Sequence, residues 1–138
     1  MTASRTVLAG VAALQLATAA AALRYAVERE LAVDTPVLRR SGVDVARDSW
    51  FLGTGITPPL LMMGVQAWAA GRVVRRPSRV AARTLGLLGG VMLVGYAAEH
   101  ETRTALAPPS WDARVTPLTA AGLLLAVPML ALGLRCEQ

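Results

Sequence analysis

The chain has 138 residues, 54% of them hydrophobic, with fourteen basic and nine acidic side chains. A mean hydropathy of +0.48 means more apolar surface than a soluble domain of this length can bury, so an ordinary soluble domain is excluded and the bilayer is the solvent. The net charge of +5 does not signal nucleic acid, because the basic residues sit in short gaps between apolar runs and no soluble domain remains to present them. Every basic residue is arginine and asparagine is absent, a bias typical of GC-rich bacterial genomes. The single cysteine, Cys136, allows neither an internal disulfide nor a CxxC metal cluster.

Four apolar runs, 6–27, 50–70, 80–98 and 115–134, have about the 20 helical residues that a hydrocarbon core of ~30 Å requires. Backbone groups cannot stay unpaired in lipid, so each run is predicted to be a helix. The expected fold is all-α: one domain over 1–138, an integral four-helix bundle of the cell membrane.

The first run starts too near Met1, with too short a charged leader, for a cleaved signal, although "ATAAAA" has a cleavage-site composition. Its ladder Ala9, Ala13, Ala17 and Ala21 permits close helix contact. It ends in "RYAVERE", which puts Arg24 with Glu28 and Tyr25 with Arg29 at i, i+4. The link 28–49 alternates in charge and predicts a short interfacial helix after Pro36, with Val37, Leu38, Val43 and Val45 on its apolar side.

Before the second run, Asp48 and Ser49 are candidate N-caps and Trp50 a belt residue. Inside it, "GTGITPPLLMMG" removes two backbone donors at Pro58 and Pro59 and frees carbonyls near Thr54 and Gly55. This predicts a broken or kinked second helix; the break lines a cavity or serves packing alone. Met62, Met63 and Met92 read as filler beside it.

The arginine-rich link 71–79 ends the second helix, with Pro77 as the boundary before the third. Gly86 and Gly90 give the third run a GxxxG contact face. The third run then passes into "GYAAEHETR", residues 95–103. Pro108 and Pro109 stop whatever helix follows. Ser110 or Thr116 would cap the fourth run, Pro117 suits its first turn, Trp111 reads as belt, and Pro128 predicts a kink.

With four spans, both termini share a face with the 71–79 link. That face carries seven arginines and one acid, Glu137; the other carries seven arginines and eight acids. Arginine number alone is a tie, but five of the first set crowd positions 72–83 without an acid, which places the termini in the cytoplasm. The acids, and the only histidine, then gather where four helix ends converge.

In one continuous helix Tyr96, Glu99, His100 and Arg103 lie at i, i+3, i+4 and i+7, along a single stripe, with Glu101 pointing elsewhere. The stripe has the parts of an acid–base site. His100 would carry protons, because imidazole ordinarily changes charge near neutrality. Glu99 or Asp48 would be the second acid or base, Arg103 an oxyanion or carboxylate partner, and Tyr96 an orienting donor. Trp50, Thr54, Thr57, Trp111 and Arg24 would contact the ligand. The bland alternative makes the same residues caps, belts and surface ion pairs.

One histidine between two acids cannot use all three on one helical face, so no metal is expected, and neither haem nor another cofactor. No nucleotide-binding or hydrolase fingerprint is present. Two functional readings follow. In one, the protein binds or acts on a lipophilic small molecule through proton-transfer chemistry, such as isomerisation, cyclisation or epoxide opening. In the other, it is a non-catalytic subunit or assembly factor whose small-residue faces dock on a membrane-protein partner or a second copy.

Overall fold

The computed structural model describes residues 3–31, 47, 49–54, 56–108 and 110–135. Among them lie five helices: α1 (Ala3–Glu28), α2 (Leu60–Arg75), α3 (Arg79–Ala98), α4 (His100–Leu106) and α5 (Val115–Arg135). No strand occurs among the described residues beyond an isolated bridge between Thr54 and Thr57. The interfacial helix expected after Pro36, and Asp48, fall outside the described residues.

Helices α1, α3 and α5 contain 26, 20 and 21 residues and are long and apolar enough to cross a membrane. Their outward side chains are the bulky ones: Val7 and Leu14 on α1, Leu87, Val91 and Val94 on α3, Leu124 and Val127 on α5. The interior is built of smaller groups, with Ala12, Ala69, Ala81, Ala82 and Ala126 packed around Leu8, Val73, Leu85, Met92 and Met129. This inverts a soluble protein's pattern, as expected where lipid solvates large side chains and close backbone approach holds helices together.

The second apolar run differs from expectation. Helix α2 begins at Leu60 instead of near Trp50 and ends at Arg75. Its 16 residues reach only about 24 Å at 1.5 Å each. The cause is local chemistry. Pro58 and Pro59 supply no N–H and force the preceding residue out of helical space. Gly53 holds a φ of 77°, a conformation that L side chains rarely adopt. The segment therefore turns back on itself. Thr54 and Thr57 exchange backbone hydrogen bonds of 3.1 and 3.4 Å, and their hydroxyls meet at 2.8 Å. The first free amides of α2 are then capped by backbone: Leu60 N donates to Ser49 O at 2.9 Å and Leu61 N to Trp50 O at 3.3 Å. Ser49 therefore does not cap a helix starting at Trp50, since none starts there.

Helix α1 packs against α2 and α5, and α3 against the same two, while the short α4 packs against α5 and α3. The α3–α5 seam is the closest. A methyl on Gly133 would run into Gly86 N, and one on Gly89 would lie 2.8 Å from Ala126 O. On the α1–α2 side, polar groups tie the helices: Gln66 Nε2 donates to Ala12 O at 2.9 Å, and Arg5 donates to Val73 O at 2.7 Å. Helix α5 continues through Pro128. Its start is held by Asp112, not by Ser110 or Thr116: Asp112 Oδ1 accepts from Arg114 N at 2.7 Å and Val115 N at 2.9 Å. Thr116 Oγ1 accepts from Asp112 N at 3.0 Å and donates to Ala105 O at 2.8 Å, joining the cap to α4.

Candidate functional site

The loop of residues 49–59 cannot fill the space that a straight helix would occupy, and it leaves a pocket of about 260 Å³ against α3 and α4. Leu52, Ile56, Pro58, Pro59 and Met62 form one wall; Val91, Met92, Gly95 and Ala98 form the other. Polar groups enter at one end: Thr54, Thr57, Tyr96, Glu99 and Thr102. Taking ~30 Å³ for each water in the liquid, the volume matches roughly nine waters. That is a small molecule, or the head of a longer one.

Glu99 reaches the pocket because the helix stops there. Its backbone (φ −74°, ψ 128°) is extended, ending α3 and starting α4. The ladder is bridged across the break, since Glu99 N donates to Gly95 O at 3.0 Å and Arg103 N to Glu99 O at 3.2 Å. The change of direction alters which residues face inward. Glu99 is 7% exposed, Thr102 2% and Ala105 6%, whereas His100 and Arg103 lie on the exposed side. The stripe expected from continuous helical spacing is therefore split: Tyr96 and Glu99 stay together in the pocket, and His100 and Arg103 do not line it. His100 Nε2 instead lies 3.4 Å from Thr104 Oγ1 on the outer surface of α4.

The other predicted residues separate in the same way. Thr54 and Thr57 line the pocket. Arg24 is exposed and pairs with Glu28 at 2.9 Å, while the Arg29 guanidinium stacks 5.5 Å from the Tyr25 ring centre. Trp50 and Trp111 are 54% and 70% exposed and do not line the pocket. Near Trp111, amides of Val115 and Arg114 hold the Asp112 carboxyl below the usual carboxylate range, hydrogen-bonding its charged form.

Thr102, Met62, Met92, Ile56 and Leu52 complete the wall, and nothing in the sequence pattern points to them as ligand contacts. Thr102 stands three residues after Glu99 and enters only because α4 restarts in a new phase. Glu99, Thr102 and Ser49 each engage a partner within the protein as well. A carboxylate has room for about four accepted hydrogen bonds, so an internal partner leaves capacity for a ligand.

Behind the pocket the bundle interior holds two glutamines with no solvent access, Gln15 on α1 and Gln66 on α2. Gln15 Nε2 lies 3.4 Å from Met92 Sδ, and Tyr96 faces the same amide. Among the described residues, the Oε1 atoms of both glutamines have no partner. Tyr96 also packs on α5 at Gly122, where a methyl would come within 2.6 Å of its hydroxyl. The pocket's polar end is thus seated on a ring fixed by two neighbouring helices.

No family model, curated protein or solved structure matches this chain.

Proposed function

We propose that this protein is a four-helix bundle of the cell membrane, with both termini on the cytoplasmic side, that binds a lipophilic small molecule at the extracytoplasmic mouth. The observation that carries the reading is the burial of Glu99 in a pocket lined otherwise by apolar side chains and a few hydroxyls. An ionisable residue at membrane depth is costly and marks a function more often than a packing need. Val91, 55% exposed, and Gly95 stand on the outer surface of α3 at the pocket's edge, so the ligand enters from the bilayer side. Its polar end donates hydrogen bonds, as an alcohol, amide or amine does, because the polar side chains lining the pocket are a carboxyl and hydroxyls, and among the described residues no arginine or histidine lines it to receive an acid.

Proton transfer on such a ligand would fall to Glu99, with Tyr96 orienting, since His100 and Arg103 lie outside. Binding is the part of this reading that the geometry supports best. The second reading, docking on a membrane partner or another copy, draws on α1. There Gly10, Ala13, Ala17 and Ala21 are exposed and Ala9 alone of the ladder is buried.

The test is recovery of lipophilic molecules from the purified protein by solvent extraction and mass spectrometry. Glu99→Gln should lower the bound amount tenfold or more, about 1.4 kcal/mol of lost charge-assisted hydrogen bonding. His100→Ala should leave it unchanged. Gly95→Leu is the sharper variant, because a Cβ there meets nothing within 4 Å. The added side chain should plug the entrance and lower occupancy while the melting temperature holds or rises. Equal recovery from all three variants would remove the reading. A wild-type chain that is stable only with a partner protein would favour the second.

A further inference from the structure

The opposite end of α2 carries a second recess, one that the pocket does not use. Ala67, Trp68, Gly71, Arg72, Arg75 and Arg76 line a groove of about 450 Å³ at the helix C-terminus. Gly71 opens it, since a Cβ there would meet no atom within 4 Å. Trp68 forms its apolar edge and is 56% exposed.

Three guanidiniums in one turn need a reason. A helix C-terminus carries about half a negative charge, and Arg5 already donates to the last-turn carbonyl of Val73. No ion pair to Arg72, Arg75 or Arg76 occurs among the described residues. The positive charge therefore exceeds what the helix dipole absorbs. Arginine forks match phosphate oxygens in pairs, and a tryptophan beside them suits the boundary between headgroup and acyl chain.

We propose that this groove is a binding site for the phosphodiester head of an anionic phospholipid, with the glycerol and upper acyl chain against Trp68. Charge complementarity together with the apolar edge selects a lipid over a free anion. The arginines would then dock the short α2 to one leaflet, which its length alone does not do.

Trp68 reports on the site. Trp50 and Trp111 are exposed at the other end of the bundle, so a Trp50→Phe, Trp111→Phe background isolates its fluorescence. The protein is reconstituted in phosphatidylcholine vesicles containing either brominated phosphatidylglycerol or brominated phosphatidylcholine at the same mole fraction. One arginine at an anionic surface is worth about fivefold in occupancy. Quenching by the anionic lipid should accordingly report a local enrichment of about fivefold or more. Arg75→Gln should reduce it more than Arg79→Gln, an exposed arginine of the same end that does not line the groove. Replacing Arg72, Arg75 and Arg76 together by glutamine should abolish it, and the matching lysine variant should restore part. Equal quenching by the two lipids, equal loss at positions 75 and 79, or enrichment surviving the triple variant would overturn the assignment. So would loss of the preference in millimolar inorganic phosphate, which would give the groove to a free anion.

Discussion

Helix α3 presents two opposite solutions to the same problem. Toward α5 it offers Gly86 and Gly89, and the backbones meet so closely that Gly133 has no room for a methyl. Toward α2 it offers Val91, Met92, Gly95 and Tyr96, and the facing chain, stopped by Pro58 and Pro59, stands off to leave 260 Å³. In a membrane, apolar burial does not drive helices together, so contact must come from backbone approach and separation from backbone interruption. The seam gives the bundle stability, and the gap is what remains available for a ligand.

Substitution at the seam should have the largest effect. Gly133→Ala would set its methyl against Gly86 N, Gly86 Cα and Ala82 O, all backbone atoms that cannot rotate away. Overpacking of this kind costs about 1–3 kcal/mol, and thermal unfolding in detergent should show a marked loss. Gly10→Ala, where a methyl meets nothing within 4 Å, should instead gain up to about 1 kcal/mol from helix propensity. Equal effects at the two positions would dissolve the contrast between seam and open face.

On the gap side, Gly53→Ala should rank next. Its positive φ and the approach of a Cβ to Thr57 O would distort the loop that forms the pocket wall. A cost of about 1–3 kcal/mol is expected from the strained backbone, with ligand occupancy falling more steeply than in Gly133→Ala. Retained occupancy would show that the loop does not shape the pocket.

Much of this was legible in the sequence. Apolar length alone located α1, α3 and α5 to within three residues at each end, because nothing in lipid competes with a helix for an apolar run of that size. The second run misled for a physical reason: Trp50, Phe51, Leu52 and Ile56 are as apolar as a helix core, yet hydropathy is blind to whether the backbone can continue. "GTGITPP" carried that information: of the broken or kinked helix that the proline pair predicts, the structure has the break, with α2 starting just after it. The break at Glu99 left no such mark. No glycine or proline stands at 98–100, so helical spacing joined His100 and Arg103 to Tyr96 and Glu99. Only tertiary packing, which buries Thr102 and Ala105, separates them. The buried glutamines were equally silent, since neither is paired in sequence with anything that predicts its partner.

Gln66→Leu tests how far that interior depends on its polar groups. The change removes one hydrogen bond to Ala12 O and one partnerless buried oxygen. Those two terms oppose each other at ~1 kcal/mol each, so stability should shift little. A large loss would mean that Gln66 holds α2 against α1 by more than packing.

The smallest effect concerns pH and the cap of α5. Because amides of Val115 and Arg114 lower the Asp112 pKa, the folded state binds its proton less tightly than the unfolded chain. The cap's contribution is full above the ordinary carboxylate range and is lost as pH falls through the lowered value. Asp112→Asn should flatten this part of the acid limb without moving neutral-pH ligand binding. An unchanged acid limb would show that the exposed carboxyl does not hold the helix start.

The chain breaks at Glu99 and turns this carboxyl inward while His100 and Arg103 turn out. Single cysteines at 99, 100, 102 and 103, in a Cys136→Ser background, can be timed against an impermeant thiol reagent in intact membranes. Glu99 and Thr102 are buried and His100 and Arg103 exposed. His100→Cys and Arg103→Cys should therefore label quickly, and Glu99→Cys and Thr102→Cys on the order of tenfold more slowly, or only after the pocket is opened by Gly53→Ala. A continuous helix would instead place 99 with 100 and 103 on one face; comparable labelling at those three positions, with 102 apart, would contradict the account.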